Sequence, residues 1–416
     1  MENNMAKQNK IYILDVTNRD GVQTSRLGLA KLQKTMINIY LNEMGVAQSE
    51  FGFPVTRHET NYLNANLELA KMGVLKPIML SGWIRAIKGD VENACKMTKV
   101  ENLNLSISTS DQMIGGKFQG KYTKEDVIRE MVEATLTARK LGIKHVCVNA
   151  EDASRTHIDY LIKFARAAKK AGAVRIRYCD TLGYDSPLSI YERIKILASE
   201  VKLPIEIHCH NDLGMVIACS VAGAKAAIDA GQDTYINTTV NGMGDRAGNA
   251  DLVSTILAIK YSSGLQGKYV LDERVKLSHA WKIAKYASYA FRIPIPINQP
   301  GVGANAFAHE SGIHADGALK DRRNYELYDF EELGRGEPEI IETGRQITAG
   351  EYSGIKGFRN VYDKLELKFK DDKEATRILE LVRYANVHTQ QPLTEDELRF
   401  IAKYPEIARK IFTMSP

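Results

Sequence analysis

From Ile11 to about Gly264, short apolar runs rich in β-branched residues alternate with longer stretches whose apolar positions recur at helical spacing. Strand-like runs fall at Ile11–Val16, Gln48–Phe53, Pro77–Leu80, Asn102–Ile107, His145–Asn149, Arg175–Cys179, Pro204–His208 and Thr234–Val240. Between them, Leu29–Met44, Lys124–Lys140, Ile158–Ala171 and Ser189–Val201 carry the helical pattern. Strand–helix units repeated eight times over roughly 250 residues have the size and rhythm of a (β/α)8 TIM barrel, an α/β fold. A doubly wound open sheet shares that rhythm, and periodicity alone does not separate the two.

After Gly264 the rhythm changes. His279–Phe291 reads as a helix, Pro294, Pro296, Pro300, Gly301 and Gly303 interrupt the chain, and a mixed segment runs to about Gly357. Mainly helical patterns follow to Pro416. The expected organisation is a barrel over 1–264, a linker with small subdomains over 265–357, and a helical region over 358–416.

The 416 residues are 44% hydrophobic and 26% charged, ordinary for a soluble globular protein. A net charge of +5 suits anionic small molecules, and no dense Lys/Arg block points to nucleic acid. The stretch Met1–Lys10 is polar, and no run approaches the ~18 apolar residues of a membrane span. Five scattered cysteines without framework spacing read as reduced thiols, so a cytoplasmic location with no membrane or nucleic-acid partner is expected.

Candidate chemistry clusters at strand ends. His208 and His210 lie two apart, which puts both imidazoles on one face of a strand end, where a parallel barrel builds its active site. Taken alone, such a pair is more often simply hydrogen-bonded than a metal site. The run Asp15–Gln23 ends the first strand with carboxylates, an arginine and a glycine turn. Asp20 there could complete a mixed N/O site for Mg²⁺, Mn²⁺ or Zn²⁺, with Arg19 beside it to stabilise a developing oxyanion. The glycine-rich loop Asn241–Asn249 is weak evidence for phosphate binding, because its glycines could serve only the turn. Phe307–His314 is no zinc-protease motif: its histidines are five apart and Gly312 interrupts the helix.

In this order, Asp20, Ala150–Ala153, Asp180-Thr181, His208-Cys209-His210, Asn241–Asn249 and Phe307–His314 resemble the DRE-TIM metallolyase superfamily. Within it the resemblance is to the Claisen-condensing branch of isopropylmalate, homocitrate, citramalate and Re-citrate synthases, and it covers Ile11 to about Gly357. It implies that Asp20, His208 and His210 bind a divalent metal, with Asn249 a weaker ligand. Mn²⁺ is the expected ion, with Mg²⁺, Co²⁺ or Zn²⁺ as alternatives. It implies that Gln23 and Thr181 contact a 2-oxo acid, that Arg19 stabilises the alkoxide, and that Glu151, His314 and Tyr325 form the acid/base group. It also implies a homodimer in which His314 and Tyr325 serve the partner's site, with acetyl-CoA as cosubstrate.

Several positions depart from the commoner family pattern, among them Asn18, Val22, Asn149 and Asp245. The strand-four loop Ser108–Lys117 lacks the arginine of homocitrate synthases, while the strand-two loop offers Arg57. That pairing makes oxaloacetate the expected 2-oxo acid and citrate the product, as in Re-citrate synthases, with Arg57 reading the distal carboxylate. Homocitrate, isopropylmalate, citramalate or phosphinomethylmalate synthesis is the alternative. A lyase or aldolase of the same superfamily would share Arg19, Asp20 and the histidine pair, but would not be expected to carry Phe307–His314 and Tyr325.

Overall fold

The computed structural model describes residues 8–267, 269–339 and 343–414. Residues 1–7 of the polar N-terminus and 415–416 of the expected helical region lie outside them. Strands β1 (Lys10–Asp15), β2 (Gln48–Gly52), β3 (Met79–Arg85), β4 (Asn102–Ser108), β5 (His145–Glu151), β6 (Arg175–Asp180), β7 (Ile205–Cys209) and β8 (Thr234–Thr238) pair parallel in chain order. Pairing of β1 with both β8 and β2 closes the ring, so the molecule is a TIM barrel and not an open sheet. The outer layer comprises α1 (Lys31–Glu43), α2 (Thr60–Lys71), α3 (Lys88–Met97), α4 (Asp111–Lys117), α5 (Lys124–Lys140), α6 (Ile158–Ala171), α7 (Pro187–Val201), α8 (Val216–Asp229) and α9 (Leu252–Tyr261).

The reading of β3 as Pro77–Leu80 is corrected: the strand starts later and runs on through Ser81-Gly82-Trp83. Gly82 looks like a break but marks a close approach, because a Cβ there would fall 2.3 Å from Pro54 Cγ.

Along each strand, alternate residues face opposite ways. Ile11, Ile13, Val146, Val148, Ile176 and Ile207 belong to the buried apolar shell shared with the helices. The other set is polar, whereas most barrels of this kind fill the interior with branched apolar residues. Arg177 on β6 reaches across the barrel, with Nη2 2.8 Å from Glu50 Oε1 on β2 and 2.5 Å from Glu206 Oε1 on β7. Arg19 Nε holds the other oxygen of Glu50 at 2.5 Å. Burial opposes the charge on Glu50, but Arg177 and Arg19 outweigh it and hold its carboxyl at about 2. Removing one partner of a buried ion pair costs about 3–5 kcal/mol, because the other charge is left unpaired. Arg177→Met removes the cation that Glu50 and Glu206 share, leaving Glu50 to Arg19 and Glu206 to Arg175 at 3.6 Å, so a loss of about that size is expected in urea unfolding. A loss below ~1 kcal/mol would show that the network does not hold the barrel.

Beyond the barrel, β9 (Val270–Leu271) pairs with the first two residues of β1, on the lower edge that β2 leaves open. Helix α10 (Ala280–Phe291) packs on α1. After α11 (Gly312–Lys320), the helices α12 (Ile355–Lys364), α13 (Asp372–Thr389), α14 (Glu395–Lys403) and α15 (Pro405–Phe412) form a cluster. Both α13 and α15 lie against α1, and Tyr40 on α1 and Tyr286 on α10 donate to Asp396 and Glu397 at 2.7 Å each. Helix α11 differs: none of its residues is buried, and Ile313 and Leu319 are 77% and 89% exposed.

Candidate active site and metal centre

The chain turns sharply after β1. The carbonyl of Val16 accepts from the backbone N–H groups of Arg19, Asp20 and Gly21, which sets Arg19 and Asp20 over the C-terminal rim. Strand β7 ends in His208-Cys209-His210, and both rings turn to the same side. His208 Nε2 is 3.3 Å and His210 Nε2 3.6 Å from Asp20 Oδ2. A short antiparallel bridge joins His210 to Asn249, whose Nδ2 donates to Asp20 Oδ2 at 2.9 Å. The glycines of the Asn241–Asn249 loop serve this closure. A Cβ on Gly244 would fall 1.8 Å from Asn249 Oδ1, and one on Gly248 (φ +88°) 2.1 Å from the Gly242 carbonyl.

These groups fit a divalent cation. One donor atom from each of Asp20, His208 and His210 lies within 4.8 Å of the others, all buried. His210 Nδ1 and Asn249 Oδ1 are buried without a hydrogen-bond partner. Burial, and then His208, push the His210 imidazole down to about 3, so it is neutral with a lone pair to offer. Burial works against charge on Asp20, yet Arg19 and the two histidines hold its carboxyl well below the usual range. Behind the donors, Nδ1 of His208 lies 3.2 Å from Asn237 Oδ1, and Asn237 in turn donates to Glu206. That arrangement orients the ring with Nε2 toward Asp20.

A cavity of about 200 Å³ opens beside the triad. Of the residues singled out in the sequence, Arg19, Asp20, Gln23, Glu151, Thr181, His208 and His210 line it. Two nitrogens of Arg19 are held, Nε by Glu50 and Nη1 by Asp20 at 2.9 Å, and its guanidinium lies 5.6 Å from the Trp83 ring centre. Thr181 Oγ1 accepts from the Asp152 N–H at 2.9 Å. Glu151 accepts from Ser108 and from Lys117 Nζ at 2.7 and 2.9 Å.

A family model described as HMGL-like matches residues 10–286, and one described as homocitrate synthase post-HMGL domain-like matches 302–389. The chain belongs to the HMGL-like family. It is 63% identical to citrate (Re)-synthase of Dehalococcoides mccartyi over 98% of this chain and 99% of the relative. It is 39% identical to 2-isopropylmalate synthase 2 of Caldanaerobacter subterraneus, over 95% and 96% of the two chains. A crystal structure of HMG-CoA lyase from Bacillus subtilis shares the fold, with a TM-score of 0.56 at 18% identity over 69% of this chain and 96% of that one. The resemblance to the Claisen-condensing branch is thereby upheld, since its named relatives are synthases matched over nearly the whole chain.

Within this HMGL-like barrel one expectation changes. Arg57 does not line the cavity: it is exposed on the turn Arg57–Glu59, whose inward-facing member is Glu59, held by Lys31 and Lys34 at 2.6 Å each. His314 and Tyr325, which the resemblance assigns to the partner's site, do not line this cavity within one chain. His314 and Tyr325 stack on each other, with ring centres 4.5 Å apart, on the exposed segment around α11, while Glu151 is engaged by Lys117. Conversely, Trp83, Ser106, Arg177, Cys179 and Arg246 line the cavity, though none was expected as a site residue, and Asn149 and Asp245, two of the departures from the family pattern, line it too. The available signal was alternation: Asn104-Leu105-Ser106 and Arg175-Ile176-Arg177 place polar groups on every second position of strands buried on both faces.

Proposed function

We propose that this chain is a divalent-metal-dependent Re-citrate synthase, condensing acetyl-CoA with oxaloacetate to give citrate. The observation that carries the reading is the cavity floor facing the metal triad. Ser106, Asn149, Arg177 and Trp83 line it, and with its oxygen turned that way the Asn149 amide accepts from Trp83 Nε1 and Arg177 Nη1 at 3.3 Å each. Such a polar floor suits a second carboxylate and disfavours the branched alkyl chain of 2-oxoisovalerate, which would strip these groups of water without replacing its hydrogen bonds. Identity of 63% with a citrate (Re)-synthase over the full chain supports the same substrate. Mn²⁺ is the proposed ion, held by Asp20, His208 and His210 with Asn249 at longer range. When bound, it supplies Lewis acidity to the ketone of the 2-oxo acid.

The protein groups then have distinct tasks. Thr181 and Gln23 hold the C1 carboxylate, and Arg19 donates to the ketone oxygen. A base takes a proton from the methyl group of acetyl-CoA, and the enolate carbon bonds to the ketone carbon. The resulting alkoxide is stabilised by Arg19 and protonated to give the citryl thioester, and water then cleaves the thioester to citrate and CoA. We assign the base to His314 of the partner subunit, oriented by Glu151 and assisted by the partner's Tyr325. The exposed apolar face of α11, which one chain leaves uncovered, supports a homodimer that seats it over the neighbouring barrel.

A thiol-release assay with acetyl-CoA and a panel of 2-oxo acids tests the substrate. Oxaloacetate should exceed 2-oxoisovalerate, 2-oxoglutarate and pyruvate in kcat/KM by roughly ten- to hundredfold, the worth of one or two buried polar contacts. Ser106→Ala and Asn149→Ala should raise KM for oxaloacetate about tenfold each, and Arg57→Ala should leave it near the wild-type value. A preference for 2-oxoisovalerate would sink the substrate assignment while leaving the reaction class standing. A large KM effect confined to Arg57→Ala would return the distal carboxylate to the strand-two loop.

A further inference from the structure

The opposite, N-terminal mouth of the barrel holds a second cavity, of about 300 Å³. Arg175, Gln48, Tyr12, Tyr235, His145 and Arg274 contribute to its lining. Arg175 opens β6 and Cys179 closes on the metal side, so at about 3.3 Å per residue the two sites are separated by roughly 13 Å of strand. At roughly 30 Å³ per water molecule, the cavity has room for an anion of about ten non-hydrogen atoms.

Arg175 is the telling residue. Its side chain is 7% exposed, and Nη2 donates to Gln48 Oε1 at 2.5 Å. Its Nε is buried with no hydrogen-bond partner among the described residues. The nearest carboxylate oxygen, Glu206 Oε2, is 3.6 Å away and accepts from Cys147 Sγ, while Arg177 and Asn237 take Oε1. Inside the barrel Arg19, Arg175 and Arg177 face Glu50 and Glu206, and Asp20 adds a carboxylate at the metal end. Three cations thus face three carboxylates, so Arg175 is set apart by its unfilled Nε and not by surplus charge.

The surroundings favour a planar oxyanion there. Tyr235 lies 4.1 Å from the guanidinium carbon and is stacked on Tyr12 at 4.8 Å, a wall that fixes the plane of the guanidinium fork. Arg274 on the rim is held by Asp272 at 2.6 Å. The His145 imidazole, exposed at the opening, is pushed down from its ordinary range by partial burial and then by Arg175, Arg139 and Lys144.

We propose that this mouth is a second anion site, in which Arg175 takes a small carboxylate or phosphate oxyanion separately from the metal-side cavity. Neither the substrate assignment nor the identity of the metal enters this inference. The test is a titration of Mg²⁺-loaded protein with inorganic phosphate and, separately, with tricarballylate, at constant ionic strength balanced by chloride. The readout is the Cε1–H resonance of His145, identified by its loss in His145→Gln. A saturable shift is expected, half-complete at millimolar concentration or below, and it should vanish in Arg175→Met. Response to phosphate alone would define a phosphate site, and response to tricarballylate alone a polycarboxylate site. Should Arg175→Met not fold, Val174→Phe blocks the cavity from its wall without touching the ion chain, and must abolish the shift instead. The proposal is overturned if neither anion gives a saturable shift, or if the shift persists in a folded Arg175→Met or Val174→Phe protein.

Discussion

Chelation with EDTA is expected to abolish turnover, and Mn²⁺, Mg²⁺ or Co²⁺ to restore it. The reason lies in the donor set: a carboxylate and two imidazoles converge in a buried site, with Asn249 Oδ1 alongside lacking any other partner. His210→Ala removes one ligand, and should weaken metal binding by more than the 10–100-fold typical of outer-shell changes. Asn237→Ala leaves every ligand in place but releases the His208 ring, and should fall within that 10–100-fold range. Competition against a chromophoric chelator measures both. The fold should survive each change, because the apolar shell lies between strands and helices and not at the rim. Unimpaired activity in a metal-free preparation would contradict the proposed chemistry, and equal affinities for wild type and His210→Ala would remove His210 from the ligand set.

The acid/base assignment carries the second large effect. Loss of a positioned general base costs roughly 10²–10⁴-fold in kcat, so His314→Ala should fall in that range with little change in metal affinity. Within one chain His314 stands exposed against Tyr325, and Glu151 is occupied by Lys117. If the group is completed across a two-fold dimer, the inactive His314→Ala and Glu151→Ala proteins should rescue each other once their subunits exchange. In the mixed dimer one site inherits both defects and the other inherits neither, so random pairing of equal amounts should return about a quarter of wild-type activity. Exchange demonstrated by mass, with no recovery of activity, would place the two residues in separate functions.

The alternation of strand runs and amphipathic stretches was enough to indicate a parallel α/β fold, and the bounds of α5 and α6 coincide with the periodic segments Lys124–Lys140 and Ile158–Ala171. These are local properties, set by which residues recur on one face of a helix or strand. The metal triad was legible for a related reason. His208 and His210 share a face through the two-residue period of the strand, and Asp20 lies in the turn that follows another strand of the same parallel ring, so all three belong to one rim. Ring closure, by contrast, depends on β1 pairing with β2 as well as β8, a long-range contact that no local pattern encodes. Arg57 and Arg177 illustrate the same limit from opposite sides. Both are cations beside strand segments, yet one stands in solvent on a turn while the other spans the barrel between Glu50 and Glu206. Which cation faces a substrate depends on the direction of each side chain and on partners supplied by strands more than a hundred residues away. The sequence by itself determined the elements, their order and the rim on which chemistry sits. Only the tertiary structure decided which polar groups are buried together, because burial and ion pairing are properties of the closed barrel and not of any segment in it.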